Sequence, residues 1–298
     1  MKAKSSAIGP LLVILAGTFW GSMGLFVRNM TALGFSSIQV TAARISLSAV
    51  LFLLILLLKD PKGFRIRLRD LPLFLALGLV SILFFTICYF SAINMLSLST
   101  AAILLYTAPI WVMLMSVVFF HEAFSRRKFV SLVLAFAGCV LVSGISGGSI
   151  STAGLLFGLG SGIGYALYSI FGTLCLRRYS PLTVTAYAFL IASLGMLFFV
   201  RPSDLLMLYR EAPSPSGAAL LTAAMAVITC VTPYLLYTLG LQRVEASRAA
   251  ILATVEPLVA TLFGVLVFSE PLTLSSAFGI MLILAAVVLL NLKTPDDG

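Results

Sequence analysis

A long apolar run that occurs twice constrains this chain more than any other feature of its sequence. The first copy extends from Ser99 to Phe120 around Pro109, and the second holds Pro257 at the corresponding place, 148 residues later. About 22 residues of α-helix measure about 33 Å, which is enough to cross the hydrocarbon core of a bilayer. Each run therefore predicts a membrane-spanning helix with a proline near its middle. Glu122 and Glu270, just after the runs, are expected to be polar stops at the helix ends or anchors for the next helix, with a role in gating as the alternative.

The same offset of 148 residues aligns positions outside the two runs, for example Tyr89 with Tyr237. The repeated Tyr, Pro and Glu carry more weight than the aliphatic matches, because apolar sequence of low complexity aligns with itself easily. The chain is therefore predicted to consist of two related halves, residues 1–147 and residues 148–298. The stretch Gly147-Gly148-Ser149 is expected to be the link between them.

The composition excludes a soluble domain that folds around one core. Hydrophobic residues make up 61% of the chain and charged residues only 10%, which is typical of an integral membrane protein. Lys2 and Lys4 precede the first apolar run as in a signal peptide, but Trp20 and Gly21 lead straight into further apolar sequence. We therefore expect this run to be the first spanning helix and not a cleaved leader.

The net charge of +9 does not indicate nucleic-acid binding, because the basic residues can be assigned to loops between spanning helices. The four cysteines lie inside apolar runs without a CxxC spacing, which favours small packing residues over disulfides or metal ligands. The single histidine, His121, cannot form a metal site alone. No metal or other cofactor is expected. The expected partners are a small-molecule substrate and membrane lipid, with no nucleic acid, and the oligomeric state is left open, a monomer being compatible.

An all-α membrane fold with ten spanning helices is predicted. Helices one to ten cover residues 10–27, 37–58, 72–96, 99–119, 128–143, 155–176, 181–200, 217–241, 246–268 and 275–292, and residues 201–216 are expected to form a loop. Fifteen of the nineteen Lys and Arg residues fall on the side of the amino terminus and three on the opposite side. The positive-inside rule then predicts that both termini are cytoplasmic in a multi-pass protein of the cytoplasmic membrane.

The number of spans per half fixes how the two halves are related. Because five is an odd number, the second half must enter the membrane in the opposite sense to the first. Such inverted repeats allow a transporter to build two alternate access states from one fold. A pore or a receptor does not require this arrangement, so the pattern favours a transporter.

Aromatic residues next to small ones, Trp20-Gly21 in helix one and Tyr165-Ala166 in helix six, accompany the proline-to-glutamate runs of helices four and nine. In these features, and in its paired five-helix halves, the sequence resembles the EamA-type exporters of the drug/metabolite transporter superfamily over nearly its whole length. The resemblance implies a central cavity lined by helices one, three, four, six, eight and nine. It also implies export of amino acids, other metabolites or toxic cations, without selecting among them.

Glu256-Pro257 is the first candidate site. Proline removes a backbone donor and crowds the carbonyl one turn earlier, so helix nine is expected to kink near Ala253. An acid at that kink is costly in lipid and should face protein or water. Two interpretations are open: a structural acid held by a hydroxyl of Thr254 or Thr229, or a site for a proton or a cation.

Arg44 is the second candidate, about two turns inside helix two. The simpler interpretation is that it snorkels along its aliphatic stem toward the outer membrane surface. The alternative is that it faces the cavity, where it pairs with Glu256 or binds the carboxylate of a substrate.

The third candidate is a set of aromatic side chains, with one threonine beside them. These residues are Trp20, Tyr89, Tyr106, Tyr165, Tyr168, Thr232, Tyr234 and Tyr237. Such side chains can form a cavity wall with polar tips for a flat or cationic solute. For Tyr179 and Tyr187 we favour a place in the aromatic belt at the membrane surface instead.

These features favour a secondary transporter that exports small organic solutes by alternating access, with amino-acid-like or aromatic metabolites as the expected class. The chain has no Walker-type phosphate loop, so ATP is not expected to drive it. Two energy sources for transport stay open: exchange of the solute for a proton at Glu256, and facilitated flux of the solute down its own gradient. The alternatives are a channel-like facilitator, an exporter of cationic drugs, and a membrane-embedded lipid-modifying enzyme. An enzyme would need clustered acid-base or nucleophilic residues near one interface, which the sequence lacks, so no enzymatic activity is expected.

Overall fold

The computed structural model describes residues 7–144 and 151–292. Within these ranges all regular secondary structure is helical and there is no β-strand, in agreement with the predicted all-α fold. The predicted link at Gly147-Gly148-Ser149 lies outside the described residues. The division of the chain into two halves at this link therefore stays a prediction.

Ten main helices, numbered in chain order, make up most of the described residues. They are α1 (Ile8–Ala32), α2 (Ser37–Lys59), α3 (Leu68–Met95), α4 (Leu98–Phe120), α5 (Arg126–Ser143), α6 (Thr152–Leu176), α7 (Pro181–Met196), α8 (Pro215–Leu241), α9 (Ala246–Phe268) and α10 (Leu274–Asn291). Eight of them are long and apolar enough to cross a membrane, among the residues that the structure describes. The other two are α5, which begins with three basic residues, and α7, which has 16 residues. The chain is thus a multi-pass membrane protein. Eight of the ten predicted spans correspond to helices that are long and apolar enough to cross a membrane.

Two of these helices are interrupted just before an internal proline. α9 turns at Ala253 and Thr254, before Pro257. α4 turns in the same way at residues 106–107, before Pro109. Each proline lacks the backbone N–H that would continue the helical ladder, and its ring crowds the preceding turn. The kink predicted near Ala253 is confirmed.

α4 and α9 also end in the same way. His121 and Ser269, the residues that follow them, both have a left-handed backbone with φ 54°. The amide of the next residue then donates to a carbonyl six residues earlier, at 3.3 Å for Glu122 and 3.1 Å for Glu270. A left-handed residue ends the helix here as in the Schellman motif, but the hydrogen bond reaches one residue further back than in that motif. The two apolar runs therefore share their interruption and their terminus.

Residues 201–216, predicted to be a loop, contain a helix at Pro202–Glu211 that we call the surface helix. The prediction was wrong because it took the prolines and serines of this segment as breaks, whereas proline suits the first turn of a helix. An acid near the amino end of the surface helix and a base near its carboxyl end also match the helix dipole. Tyr209 then packs on Phe35, with ring centroids 5.0 Å apart, which holds the helix against the connection between α1 and α2.

The main helices pack in combinations that join the amino-terminal five to the carboxyl-terminal five. α1 packs on α8 and α9, α3 and α4 pack on α6, α2 packs on α7, and α5 packs on α10. Glycine allows the closest of these approaches. A Cβ atom on Gly21 of α1 would lie 2.7 Å from the carbonyl oxygen of Glu256 in α9, and one on Gly162 of α6 would lie 2.7 Å from that of Leu104 in α4. α1 and α6 are therefore in backbone contact with the interrupted parts of α9 and α4.

Candidate functional site

A cavity of about 630 Å³ lies between the two groups of helices. Most of its wall comes from α1, α2, α3, α4, α6, α8 and α9. It reaches the helix ends at Arg28, Leu98 and Glu270. The side chains of Arg28 and Glu270 are about half exposed, at 53% and 46%, so the cavity is accessible here. We call this end of the protein the open end.

At the opposite end, which we call the closed end, Glu122 joins the end of α4 to the start of α9. Its carboxylate accepts hydrogen bonds from the backbone N–H groups of Ala246, at 2.9 Å, and Ser247, at 3.3 Å, and from the Ser247 hydroxyl. The Lys128 ammonium lies 3.6 Å from Glu122 and 2.6 Å from Glu245. The Glu122 side chain is only 8% exposed. Glu122 thus contacts two helices: it anchors the start of α9 and, through Lys128, also contacts the first turn of α5, the helix that follows it.

Five of the predicted aromatic residues line the cavity: Trp20, Tyr89, Tyr106, Tyr165 and Tyr234. Trp20 is at the centre of this wall. Its ring centroid lies 5.2 Å from that of Tyr234 and 6.1 Å from that of Tyr165, in edge-to-face arrangements. Phe85, which the sequence did not single out, continues the wall by contacting both Tyr89 and Tyr165. The cavity therefore has a continuous aromatic face.

The other three predicted residues, Tyr168, Thr232 and Tyr237, do not line the cavity. The hydroxyl groups of Tyr168 and Thr238 are hydrogen-bonded at 3.0 Å, and those of Tyr237 and Ser169 at 2.8 Å. Both pairs are buried between α6 and α8, one turn nearer the closed end than the tyrosines that reach the cavity. Their polar groups thus already have protein partners, so they support the aromatic wall from behind.

Arg44 lines the cavity and is 8% exposed. Its Nη1 lies 2.8 Å from the thioether sulfur of Met23, and its Nε is buried without a hydrogen-bond partner in residues 7–144 and 151–292. Among the described residues it has no carboxylate within ion-pair distance. A guanidinium carries five N–H donors and a thioether is a weak acceptor, so most of its capacity is unused. The structure therefore contradicts snorkelling and favours the interpretation in which Arg44 faces the cavity.

Glu256 also lines the cavity, in the first turn of α9 after the interruption. Its Oε2 accepts a hydrogen bond from the hydroxyl of Tyr165 at 3.3 Å. The expected partners Thr254 and Thr229 do not hold it, because their hydroxyls donate to carbonyl groups of their own helices. The helix start favours a negative charge at this position. Glu256 and Arg44 thus present a carboxyl group and a guanidinium to one cavity without forming an ion pair within 4.0 Å in the part of the chain that the structure describes.

The sequence did not identify the charged pair at the open end. Arg28 forms an ion pair with Glu270, and its guanidinium lies 4.2 Å from the centroid of the Phe268 ring. Glu270 occupies the repeat position of Glu122 but contacts an arginine instead of the start of a helix. Leu176 lies at the offset of 148 residues from Arg28, so the aligned positions contained no signal for this contact.

The comparisons with known proteins agree with this architecture. The EamA-like transporter family matches residues 7–144 and 152–292. Two uncharacterized transporters of Archaeoglobus fulgidus are similar to the chain. One is 27% identical over 283 residues, covering 95% of this chain and 98% of the relative, and the other is 30% identical over 282 residues, covering 94% and 95%. The uncharacterized transporter YwfM of Bacillus subtilis is 26% identical over 287 residues, covering 94% and 93%.

A solved crystal structure has the same fold, with a TM-score of 0.80 over 95% of this chain and 96% of that one, at 17% sequence identity. The family match spans nearly all of the described residues, the relatives are named transporters, and the helices are apolar enough for a membrane. These findings confirm the resemblance that the sequence motifs indicated. The chain belongs to the EamA-like transporter family.

Proposed function

We propose that the protein is a secondary transporter that exports small organic solutes across the cytoplasmic membrane by alternating access. The observation that carries this proposal is the shared cavity, in which the unpaired guanidinium of Arg44, the carboxyl group of Glu256 and the aromatic wall face the same space. Its volume of about 630 Å³ is in the range of small-molecule sites. The proposed activity is transport without chemical conversion of the solute.

The charges of the cavity select an amino-acid-like solute with an aromatic side chain. Arg44 would bind the solute carboxylate, because a guanidinium matches the two oxygens of a carboxylate in geometry and charge. Glu256 would accept hydrogen bonds from the solute ammonium group. Trp20 and the tyrosines would contact the side chain, with Trp20 held in place from behind by Tyr237, at 5.3 Å between ring centroids.

The proposed topology has ten spans in two inverted halves, with both termini in the cytoplasm. The equivalent pairing of α1 with α8 and α3 with α6, and the common geometry of the α4 and α9 ends, support it. α7 would then cross the membrane inside the bundle, where most of its side chains are buried, and α5 would cross beside α10, with its basic residues confined to its first turn at the closed end. In this orientation the open end faces outward and the closed end faces the cytoplasm, as in one of the two states that a carrier requires.

Arg44 provides the most direct test of the proposed solute. We expect Arg44→Gln to weaken the binding of an aromatic amino acid by about 10-fold to 100-fold, since hydrogen bonds to charged groups contribute about 1.5–3 kcal/mol. The methyl ester of the same amino acid lacks the carboxylate, so Arg44→Gln should bind the ester almost as tightly as the wild-type protein does. Thermal unfolding of the purified protein with each ligand measures both affinities. Arg201→Gln, which removes a charge outside the cavity, is the matched control, and equal losses for acid and ester would contradict the assignment.

Glu256 is proposed to couple export to proton entry. A carboxyl group that is reached from the cavity and contacts the hydroxyl of Tyr165 can bind a proton in one access state and release it in the other. Solute-driven proton flux in liposomes tests this role. Glu256→Gln should abolish the proton flux, while Glu211→Gln in the surface helix should not. Equal flux in Glu256→Gln and the wild type would favour downhill transport without coupling at this acid.

Export of cationic drugs is the second candidate, because an acid beside aromatic rings also suits an organic cation. The unpaired charge of Arg44 opposes it. The Arg44→Gln variant distinguishes the two candidate functions. It should bind a cation such as tetraphenylphosphonium more tightly than the wild-type protein does, and an amino acid more weakly. If the wild-type protein bound the cation and no amino acid, the second candidate would replace the first.

A further inference from the structure

A basin of about 360 Å³ lies at the closed end, where the connection between α2 and α3 meets the junction of α6 and α7. One acid, Asp60, and four basic residues surround it. The basic residues are Lys62, Arg65, Arg67 and Arg178. Of these four, only Arg178 has an ion-pair partner within 4.0 Å among the described residues, namely Asp70. Lys62, Arg65 and Arg67 thus have no carboxylate within 4.0 Å in the described part of the chain, so three of the four basic side chains of the basin form no ion pair there.

The backbone around the basin is held by hydrogen bonds. The Tyr179 hydroxyl accepts from the amide of Arg67 at 3.0 Å and donates to Asp70 at 2.6 Å. The Tyr187 hydroxyl donates to the carbonyl of Phe64 at 2.9 Å. These bonds involve the backbone of the α2–α3 connection and leave the side chains of Arg65 and Arg67 available. The basin is thus a preformed concavity and not a loose basic loop.

Exposed apolar side chains lie next to the basin. Leu58, at the end of α2, is 78% exposed, and Leu68, at the start of α3, is 85% exposed. In a membrane protein, leucines exposed to this degree are stable when they contact acyl chains. The adjacent cations then lie at the level of the lipid headgroups. A lipid headgroup in the basin is joined to acyl chains that can cover these leucines, whereas a soluble anion would contact only the charges of the basin.

We propose that this basin binds the phosphate headgroup of an anionic phospholipid. Arginine is suited to phosphate because its planar fork donates two parallel hydrogen bonds to the phosphate oxygens. In the proposed topology the basin faces the cytoplasmic leaflet, whose anionic lipids attract clusters of basic residues. The bound lipid would contact both the α2–α3 connection and the start of α7, and so would stabilise the packing between them. The proposal does not depend on the identity of the transported solute.

The test uses the full-length protein in a neutral detergent. Phosphatidylglycerol should bind in native mass spectrometry and raise the unfolding temperature, whereas phosphatidylcholine and inorganic phosphate should do neither. Arg65→Gln combined with Arg67→Gln should weaken phosphatidylglycerol binding by about 30-fold, from the contribution of each basic residue near an anionic surface. The hydrogen bond from Arg67 to the Tyr179 hydroxyl comes from the backbone N–H of Arg67 and not from its side chain, so the double variant should keep the fold.

The matched control is Arg201→Gln combined with Arg210→Gln, which removes the same charge from the opposite end. Its affinity for phosphatidylglycerol should stay within about two-fold of the wild type, since these residues lie far from the basin. Equal weakening by the two pairs would overturn the site and leave only general electrostatic attraction. Equal binding of phosphatidylglycerol and phosphatidylcholine by the wild type would overturn it without any variant. Stabilisation by inorganic phosphate to the same extent would replace the lipid with a soluble anion.

Discussion

Replacement of Glu122 by glutamine should open the closed end of the protein. The Glu122 carboxylate accepts two backbone N–H groups and a hydroxyl at the start of α9, and it lies 3.6 Å from Lys128. Glutamine keeps one acceptor oxygen but loses the charge and the second acceptor. Hydrogen bonds to charged groups contribute about 1.5–3 kcal/mol, so we expect the closed end to lose about 2 kcal/mol. In the proposed topology, this loss would raise the ratio of cytoplasm-open to cytoplasm-closed molecules about 30-fold.

Distances between spin labels at Phe124 and Arg243, two exposed positions at the closed end, measure this ratio in proteoliposomes. The Glu122→Gln protein should populate a longer distance that is rare in the wild type. The repeat-equivalent variant Glu270→Gln is the matched control. Its ion pair with Arg28 is half exposed, and such pairs contribute about 0–1 kcal/mol, so its effect should be small. If both variants left the distances unchanged, Glu122 would be a packing residue and not part of a gate.

Two further predictions concern packing and the division of roles within the aromatic set. Gly21→Ala should lower the free energy of unfolding by about 1–3 kcal/mol, because the added methyl group would lie 2.7 Å from a carbonyl oxygen of α9. Gly24→Ala should leave the free energy of unfolding unchanged, because nothing lies within 4 Å of its new methyl group. Thermal unfolding of the two variant proteins measures this difference. Tyr168→Phe should cost about 0.5–1.5 kcal/mol of stability without changing solute affinity. Tyr165→Phe should instead lower solute affinity, because its hydroxyl contacts Glu256 in the cavity, and a ligand titration that showed the reverse pattern would refute this division.

Local chemistry explains what could be predicted from the sequence. The kink in α9 follows from Pro257 alone, since the missing donor and the ring act on the neighbouring turn whatever the tertiary contacts. The apolar runs indicated membrane helices for the same reason, because their length and polarity are local properties. The offset of 148 residues places Pro109 at the corresponding position of α4, where the structure has a second interruption. Each of these features could be predicted from the sequence without knowing which helices touch.

Features that depend on contacts between distant helices could not be predicted in this way. Tyr165 and Tyr168 are one turn apart on α6, yet one reaches the cavity and the other hydrogen-bonds to Thr238, because α8 approaches α6 only near the closed end. The pair of Arg28 with Glu270 joins residues 242 positions apart, and no counterpart in the repeat pointed to it. Arg44 was open to two interpretations, since its burial depends on α1 and on the position of the Met23 sulfur.

Solute counterflow tests the central claim of a carrier with one cavity most directly. Proteoliposomes loaded with an unlabelled aromatic amino acid should accumulate the labelled form transiently above its equilibrium level, and Arg44→Gln should remove this overshoot. A carrier exchanges internal for external solute through one site, whereas a channel lets both forms equilibrate independently. Uptake by the wild-type protein that rises to equilibrium without an overshoot and does not saturate with concentration would contradict the claim.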